Sequence, residues 1–384
     1  MEKKSFVRGA AVLASAGLFA KFLGAIFRIP LTYVIGPEGM GLYQMAYPIY
    51  SFLLVMSSAG LPVAISKMVS ERIALNDYTG AHRVFRISLA LMAGIGIFTS
   101  VLLFSFSGVV ARAVGNVDAV YSIMAIAPGL FFVAMISSFR GYFQGMQHMT
   151  PTALSQVVEQ TIKLAMGLLL ASHWVKWGVQ YGAAGAMLGV TLSEVAALIL
   201  LLGIYRHKRA ENREKNKQSQ PGRYREPTRG IMARMLSIAI PVTIGASIMP
   251  LVALVDEMVV VNRLVNIINY DTGFLYTVEE ATSLYGLLTA YAGPLINFPT
   301  IITIALAMSI VPSISESYVL EERRAISAKT ETALRLTLLL GLPAGVGMCT
   351  LARPIIQLLY ASLDVTEVVK AGSILSVLSI GVVF

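Results

Sequence analysis

Apolar residues in this chain come in repeated runs of about twenty, the length a helix needs to cross a hydrocarbon layer about 30 Å thick. That pattern restricts the fold more than any motif does. A backbone facing lipid must satisfy its own hydrogen bonds, so each run is a helix or part of a closed barrel, and runs this long are helices. They lie roughly at 8–34, 42–65, 85–111, 120–139, 151–172, 181–204, 233–260, 284–311, 332–351 and from 370 onward. Hydrophobic residues make up 56% of the 384 and charged residues 13%, too little polar surface for a soluble domain of this size. The expected class is an all-α, polytopic membrane protein. The last run is still apolar at Gly381–Phe384, so a longer parent chain is expected.

Lys3, Lys4 and Arg8 precede the first run, but that run is too long for a cleaved signal, carries charges and leads into further spans. With the amino terminus in the cytoplasm, only Arg112, Lys176, Arg263, Arg353 and Lys370 fall outside, which satisfies the positive-inside rule. The net charge of +9 is therefore topological and does not signal nucleic acid. The basic stretch Arg206–Arg229 reads as a solvated cytoplasmic linker close to anionic membrane lipids. The single cysteine, Cys349, has no internal disulfide partner, and the four histidines are scattered over separate loops, so no metal site is expected. No cofactor motif is present; the glycines of residues 36–41 (GPEGMG) form an outer turn without the preceding strand a nucleotide loop requires.

The chain then begins again. Leu42-Tyr43 and Leu284-Tyr285 open corresponding runs, Ser70-Glu71 and Ser315-Glu316 follow them, and the offset moves only from 242 to 245 residues. Six spans precede the linker, so both halves start from the same side and the repeat is parallel. Three segments follow: an N-terminal lobe of six helices at 1–205, the basic linker at 206–230, and a C-terminal lobe of about four helices at 231–384. Parallel repeats are a transporter architecture in which substrate binds in the cleft between lobes.

Charge inside the spans indicates chemistry, because a cation at mid-bilayer costs about 2.5 to 3.5 kcal/mol on insertion scales unless it meets something polar. Gly17, Lys21, Gly24 and Arg28 recur on one stripe of the first helix, and Lys21 and Arg28 are the candidate cations for an anionic substrate. Gln156, Glu159, Gln160 and Lys163 share one face of the fifth span as a polar wall for sugar hydroxyls, although Glu159 and Lys163 stand in the i, i+4 order that lets them neutralise each other. Asn297 joins these polar candidates in the eighth span. Glu194, Asp256 and Glu257 are candidates for ion coupling, with Glu194 alone among apolar residues and placed deepest. Pro48, Pro62, Pro241, Pro250, Pro294 and Pro299 break corresponding elements of the two lobes and are hinge candidates.

The strings GLPVAISK at 60–67, RGYFQG at 140–145, PTALSQVVEQ at 151–160 and AAGAML at 183–188 closely resemble the stage V sporulation protein B family, part of the multidrug/oligosaccharidyl-lipid/polysaccharide flippase superfamily. The likeness is dense to about residue 200 and collinear beyond. It implies a two-lobed bundle of twelve to fourteen helices that moves an undecaprenyl diphosphate-linked saccharide, plausibly lipid II, to the outer face for cell-wall or spore-cortex synthesis. Partners it implies are the lipid-linked saccharide and cell-wall synthesis enzymes. MurJ-type lipid II flippases carry a first-helix pattern that Lys21, Leu23, Gly24 and Arg28 approximate, with the second cation displaced by one position. Two further arginines of that type have no counterpart, Phe52 and Gly293 standing nearest.

A diphosphate-linked sugar lipid needs a cationic, hydrated site open sideways to the bilayer, and no nucleotide-binding domain is present to supply ATP. Three alternatives remain. An ion-coupled multidrug antiporter of the same superfamily would use acidic and aromatic residues; a membrane-embedded polysaccharide-modifying enzyme would need a nucleophile and base near one interface; a scaffold for cell-wall enzymes would need no buried charge.

Overall fold

A computed structural model describes residues 2–208, 226–268, 273–297, 299, 310, 314 and 322–382, except the side chains of 2–11, 14, 21 and 25. Most of the basic linker, residues 298, 300–309 and 311 of the eighth apolar run, Ser315-Glu316 and the Lys21 side chain lie outside that set. The regular structure among the described residues is helical apart from one isolated bridge between Ile268 and Leu275. Among the described residues, seven stretches are long and apolar enough to cross a membrane. One of them, Ser15–Ala74, is 60 residues long and holds two of the expected spans.

The two spans are joined inside α1 (Glu2–Ser58) at Gly36, whose φ of 66° and ψ of −176° interrupt the helix. A side chain would resist that positive φ, so glycine sets the turn. After a break at Ala59-Gly60 come α2 (Leu61–Ala74), α3 (Tyr78–Ser105) and the short α4 (Ser107–Ala113). Next are α5 (Ala119–Ile126) and α6 (Gly129–Gly145), divided at Pro128, then α7 (Met149–Trp174) and α8 (Val179–His207). Beyond the linker lie α9 (Thr228–Leu264), α10 (Val278–Gly286), a π-helical turn at Leu287–Ala292, α11 (Arg323–Thr350), α12 (Ala352–Leu359) and α13 (Val365–Leu378). The π turn has a local cause: Pro294 has no N–H for the next α-helical bond, and the Gly293 N–H reaches back five residues to Leu288. Pro48, by contrast, sits in α1 without a break, and Pro62 opens α2 in the first turn, where a proline costs no hydrogen bond. Pro241 and Pro250 lie within α9, and Pro299 borders residues outside the described set.

Two compact units emerge, one of residues 1–35 and 42–281, the other of 36–41 and 282–384. The division falls after α9 and not at the linker, so α9 groups with the helices that precede it. Its partners explain why. The Gly60 N–H donates to Thr243 Oγ1 at 3.1 Å, Arg234 pairs with Glu71 at 2.7 Å, and Asn262 Nδ2 donates to the Ala113 carbonyl at 2.9 Å, so α9 is tied to this unit at both ends.

In the first unit, α2, α3, α6, α8 and the start of α9 close around Phe85, Phe139, Tyr142 and Met235. Phe85 and Tyr142 have ring centroids 4.5 Å apart. Alongside, α7 and α8 meet through small residues: a Cβ on Gly189 would collide with the Gly167 backbone, and one on Gly185 would lie 2.8 Å from the Leu170 carbonyl carbon. Without a hydrophobic drive between helices in lipid, such close backbone packing is what binds the pair.

In the second unit, α11, α12 and α13 follow the plan of α3, α4 and α5. Their first residues are displaced from those of α3, α4 and α5 by 245, 245 and 246 positions, and α3 and α11 are each 28 residues long. Each short middle helix carries one exposed arginine, Arg112 or Arg353. The internal shift seen between Ser70-Glu71 and Ser315-Glu316 is thus also a shift between elements of structure.

Candidate functional site

The two polar stripes of the first unit face each other. An added Cβ on Gly24 would sit 3.4 Å from Gln160 Oε1, and one on Gly17 4.0 Å from Gln156 Oε1, so the glycine side of α1 lies along the glutamine side of α7. Higher up, the Phe27 ring packs on Gly167, 2.8 Å from where a Cβ would stand. The reason is local to the sequence: glycines at Gly17 and Gly24 and at Gly167 let each helix accept the bulk of the other.

Lys163 lies in this seam. Its ammonium is 5.4 Å from the centroid of Phe27 and 5.7 Å from that of Tyr47, a pair of cation–π contacts. Arg28 is within electrostatic range of it. Both cations are half-buried, and no ion pair or hydrogen bond among the described residues engages either one. The expected neutralisation of Lys163 by Glu159 does not occur. Glu159 Oε2 instead accepts from Arg140 Nη2 at 2.8 Å, its Oε1 accepts from Gln160 Nε2 at 3.3 Å, and Arg140 Nε donates to Ser155 Oγ at 2.9 Å. A guanidinium fork supplies two fixed donors, and this pairing outcompetes the flexible lysine one turn away.

A second pair lies deeper. Glu194 on α8 is 3% exposed and accepts a hydrogen bond from the Tyr50 hydroxyl of α1, so it is not alone among apolar residues as its sequence surroundings suggest. Its other oxygen, Oε2, has no hydrogen-bond partner among the described residues and points at Gly129, the first residue of α6 after the break at Pro128, where a side chain would displace it. Thr191, one turn before Glu194, donates to the Ala125 carbonyl at 2.8 Å and closes one of the carbonyls near that break. Glu159, Lys163 and Arg140 are all within electrostatic range of Glu194.

Glu257 corrects the expectation that Glu194 alone is deep. It is fully buried, and neither carboxylate oxygen has a hydrogen-bond partner among the described residues, whereas its neighbour Asp256 is exposed. Asn297 is exposed in the second unit. Tyr50, Phe27, Tyr47 and Arg140 are the members that sequence reasoning missed. Only Arg140 leaves a signal, as a charge five residues inside the end of α6. Beside this seam, Pro30 and Val34 of α1 and Leu164, Leu168 and Ser172 of α7 line an apolar groove of about 410 Å³.

Charged and aromatic groups gathered inside a bundle of membrane-spanning helices, in a chain with repeated helical units, define a polytopic membrane protein built on a transporter fold. The chain belongs to the polysaccharide biosynthesis protein family, which residues 6–318 match. It is 31% identical over 372 residues to stage V sporulation protein B of Bacillus subtilis, covering 96% of this chain and 70% of that one. To lipid II flippase MurJ of Bacillus subtilis it is 26% identical over 373 residues, covering 93% of this chain and 66% of the relative, just under two thirds of its length. Among solved structures, an inward-facing multidrug resistance MATE family transporter of the MOP superfamily superimposes with a TM-score of 0.74 at 15% identity, covering 97% of this chain and 81% of that one. The fold expected from the repeat and the sequence resemblance is therefore the fold observed.

Proposed function

We propose that this protein flips an undecaprenyl diphosphate-linked saccharide, with lipid II the leading candidate, from the cytoplasmic to the outer leaflet by alternating access, its amino terminus in the cytoplasm. One observation carries the reading: Arg28 and Lys163 are two neighbouring cations inside the membrane-spanning bundle that form no ion pair with any carboxylate among the described residues. Cations left unneutralised at such depth are costly, and a diphosphate is the ligand that offsets the cost. Lys21, one helical stripe with Arg28, extends the same face of α1. The aromatic rings of Phe27 and Tyr47 hold Lys163 in place without neutralising it. Gln156 and Gln160 supply amides for sugar hydroxyls. The apolar groove beside the seam suits a hydrocarbon tail that stays in the bilayer while the headgroup crosses.

Coupling falls to the buried carboxylates Glu194 and Glu257, each with an oxygen that lacks a partner and can take up a proton or monovalent cation during the cycle. Export of organic cations, the alternative from the same superfamily, fits less well, because Glu159, the carboxylate of this seam, is already occupied by Arg140, and the seam's other charges, Arg28 and Lys163, are positive.

The test is a flipping assay in liposomes that compares labelled lipid II with another undecaprenyl diphosphate sugar. Lys21→Ala, Arg28→Ala and Lys163→Ala are each expected to slow transport at least about tenfold, the loss of one charge-assisted contact. Parental rates in all three variants contradict the reading.

A further inference from the structure

We infer that Arg140 is a positioning residue that holds the Glu159 carboxylate away from Lys163 and so keeps Lys163 available to an anionic headgroup; the inference rests on the reading of Arg28 and Lys163 given above. On an isolated helix, Glu159 and Lys163 would pair by default, because a glutamate four residues before a lysine is the favoured order. In the folded protein both oxygens of Glu159 are taken, Oε2 by Arg140 Nη2 at 2.8 Å and Oε1 by Gln160 Nε2 at 3.3 Å. Arg140 is itself held in plane: its Nε donates to Ser155 Oγ at 2.9 Å, and Ser155 in turn donates to the Thr152 carbonyl at 2.8 Å. Ser155 is fully buried, so this chain of donors is fixed by packing. Lys163, released from its helix neighbour, rests on two aromatic faces at 5.4 and 5.7 Å, which orient the charge and leave it uncancelled.

The consequence is a division of labour between two cations of opposite duty. Arg140 spends its charge on Glu159, and Lys163 keeps its own. Remove Arg140 and only the 3.3 Å bond from Gln160 Nε2 still holds Glu159, whose helical spacing returns it to Lys163; the seam then loses a net positive charge although Lys163 is still present. Arg140 need not touch the ligand for this to happen.

The test uses the protein in lipid nanodiscs and two probes with the same tail, undecaprenyl diphosphate and uncharged undecaprenol, and reads the ratio of their affinities. The parent prefers the diphosphate. Lys163→Gln and Arg140→Gln are each expected to reduce that preference about tenfold while binding undecaprenol as before. Arg140→Gln combined with Glu159→Gln is expected to regain it to within about twofold, because the competing carboxylate is gone. Arg140→Lys, which keeps a cation for Glu159 without the fork to Ser155, should fall between. A double variant as weak as Arg140→Gln overturns the inference and leaves Arg140 as a packing or ligand-contacting group. Should Arg140→Gln not fold, the double variant is compared with Lys163→Gln directly: parental preference supports the inference, and loss equal to Lys163→Gln overturns it. If Lys163→Gln itself keeps the full preference, the proposed anion site fails, a result distinct from the failure of Arg140 alone.

Discussion

The two units share a plan and differ in what they bury. The α3–α4–α5 trio of the first recurs as α11–α12–α13 in the second at a nearly constant displacement, yet among the described residues the first unit buries Glu194, Glu257 and Asp77, while the polar residues buried in the second are Thr282 and Ser379. Close glycine packing occurs in both units: Gly167 and Gly189 bring α7 and α8 of the first unit into backbone contact, and in the second a Cβ on Gly286 would collide with the Pro37 carbonyl, while Gly347 of α11 has nothing within 4 Å of a potential Cβ. A repeated framework, then, does not imply repeated chemistry: among the described residues the buried carboxylates all lie in the first unit.

Substitutions of matched type in the two units sharpen that contrast. Gly189→Leu should be the most damaging, because the added side chain meets the Gly167 backbone with no room to turn; a loss of about 3 kcal/mol, the upper end of overpacking, is expected as a lowered thermal midpoint in detergent. Gly347→Leu in the second unit should leave the midpoint unchanged or raise it slightly, and an equal loss at both sites would dissolve the contrast.

Removal of a tyrosine hydroxyl gives the next effect. Tyr50→Phe strips Glu194 of its hydrogen-bond donor and should cost about 1 to 3 kcal/mol, because a buried carboxylate is left unpaired. Tyr360→Phe in the second unit removes a 3.3 Å bond to the Tyr291 carbonyl, a neutral acceptor, and about 1 kcal/mol or less is expected from the same denaturation series.

Smaller again is the cap of α13. Asp364 accepts from the Glu367 N–H at 2.7 Å in a reciprocal capping box, so Asp364→Ala should cost about 1 kcal/mol, read from local hydrogen exchange in α13. Donation by the Glu367 N–H, then by the Thr366 hydroxyl, holds the Asp364 carboxyl below its ordinary value. A depressed carboxylate contributes its stability above the unfolded value of about 4 and loses it as the pH falls through the lower folded value, so α13 protection should decline on acidification below about pH 4 and the Asp364→Ala variant should show no such decline. Arg335→Ala, which removes an exposed i, i+4 pair with Glu331, should change stability by no more than about 0.5 kcal/mol.

Much of this was legible in the sequence because it is periodic. Runs of apolar residues located the helices, the 242-to-245 offset located the internal correspondence, and Gly17 and Gly24 of one stripe lie along Gln156 and Gln160 of the other. Partners across helices were not legible. Spacing along α7 pointed Glu159 at Lys163, while the partner that won, Arg140, is 19 residues earlier on α6; Tyr50 and Glu194 meet from 144 residues apart. Burial by tertiary packing was hidden for the same reason: Asp256 and Glu257 are adjacent, and only the fold decides which is exposed. Proline gave a mixed signal, producing a π turn before Pro294 but no break at Pro48.

The central claim is that Arg28 and Lys163 form a cationic seat for a diphosphate within the first unit. A cryo-electron microscopy structure of the protein with bound undecaprenyl diphosphate tests it most directly. Phosphate density within hydrogen-bond reach of both the Arg28 guanidinium and the Lys163 ammonium is the predicted result, and phosphate bound elsewhere with these two side chains unchanged would contradict it.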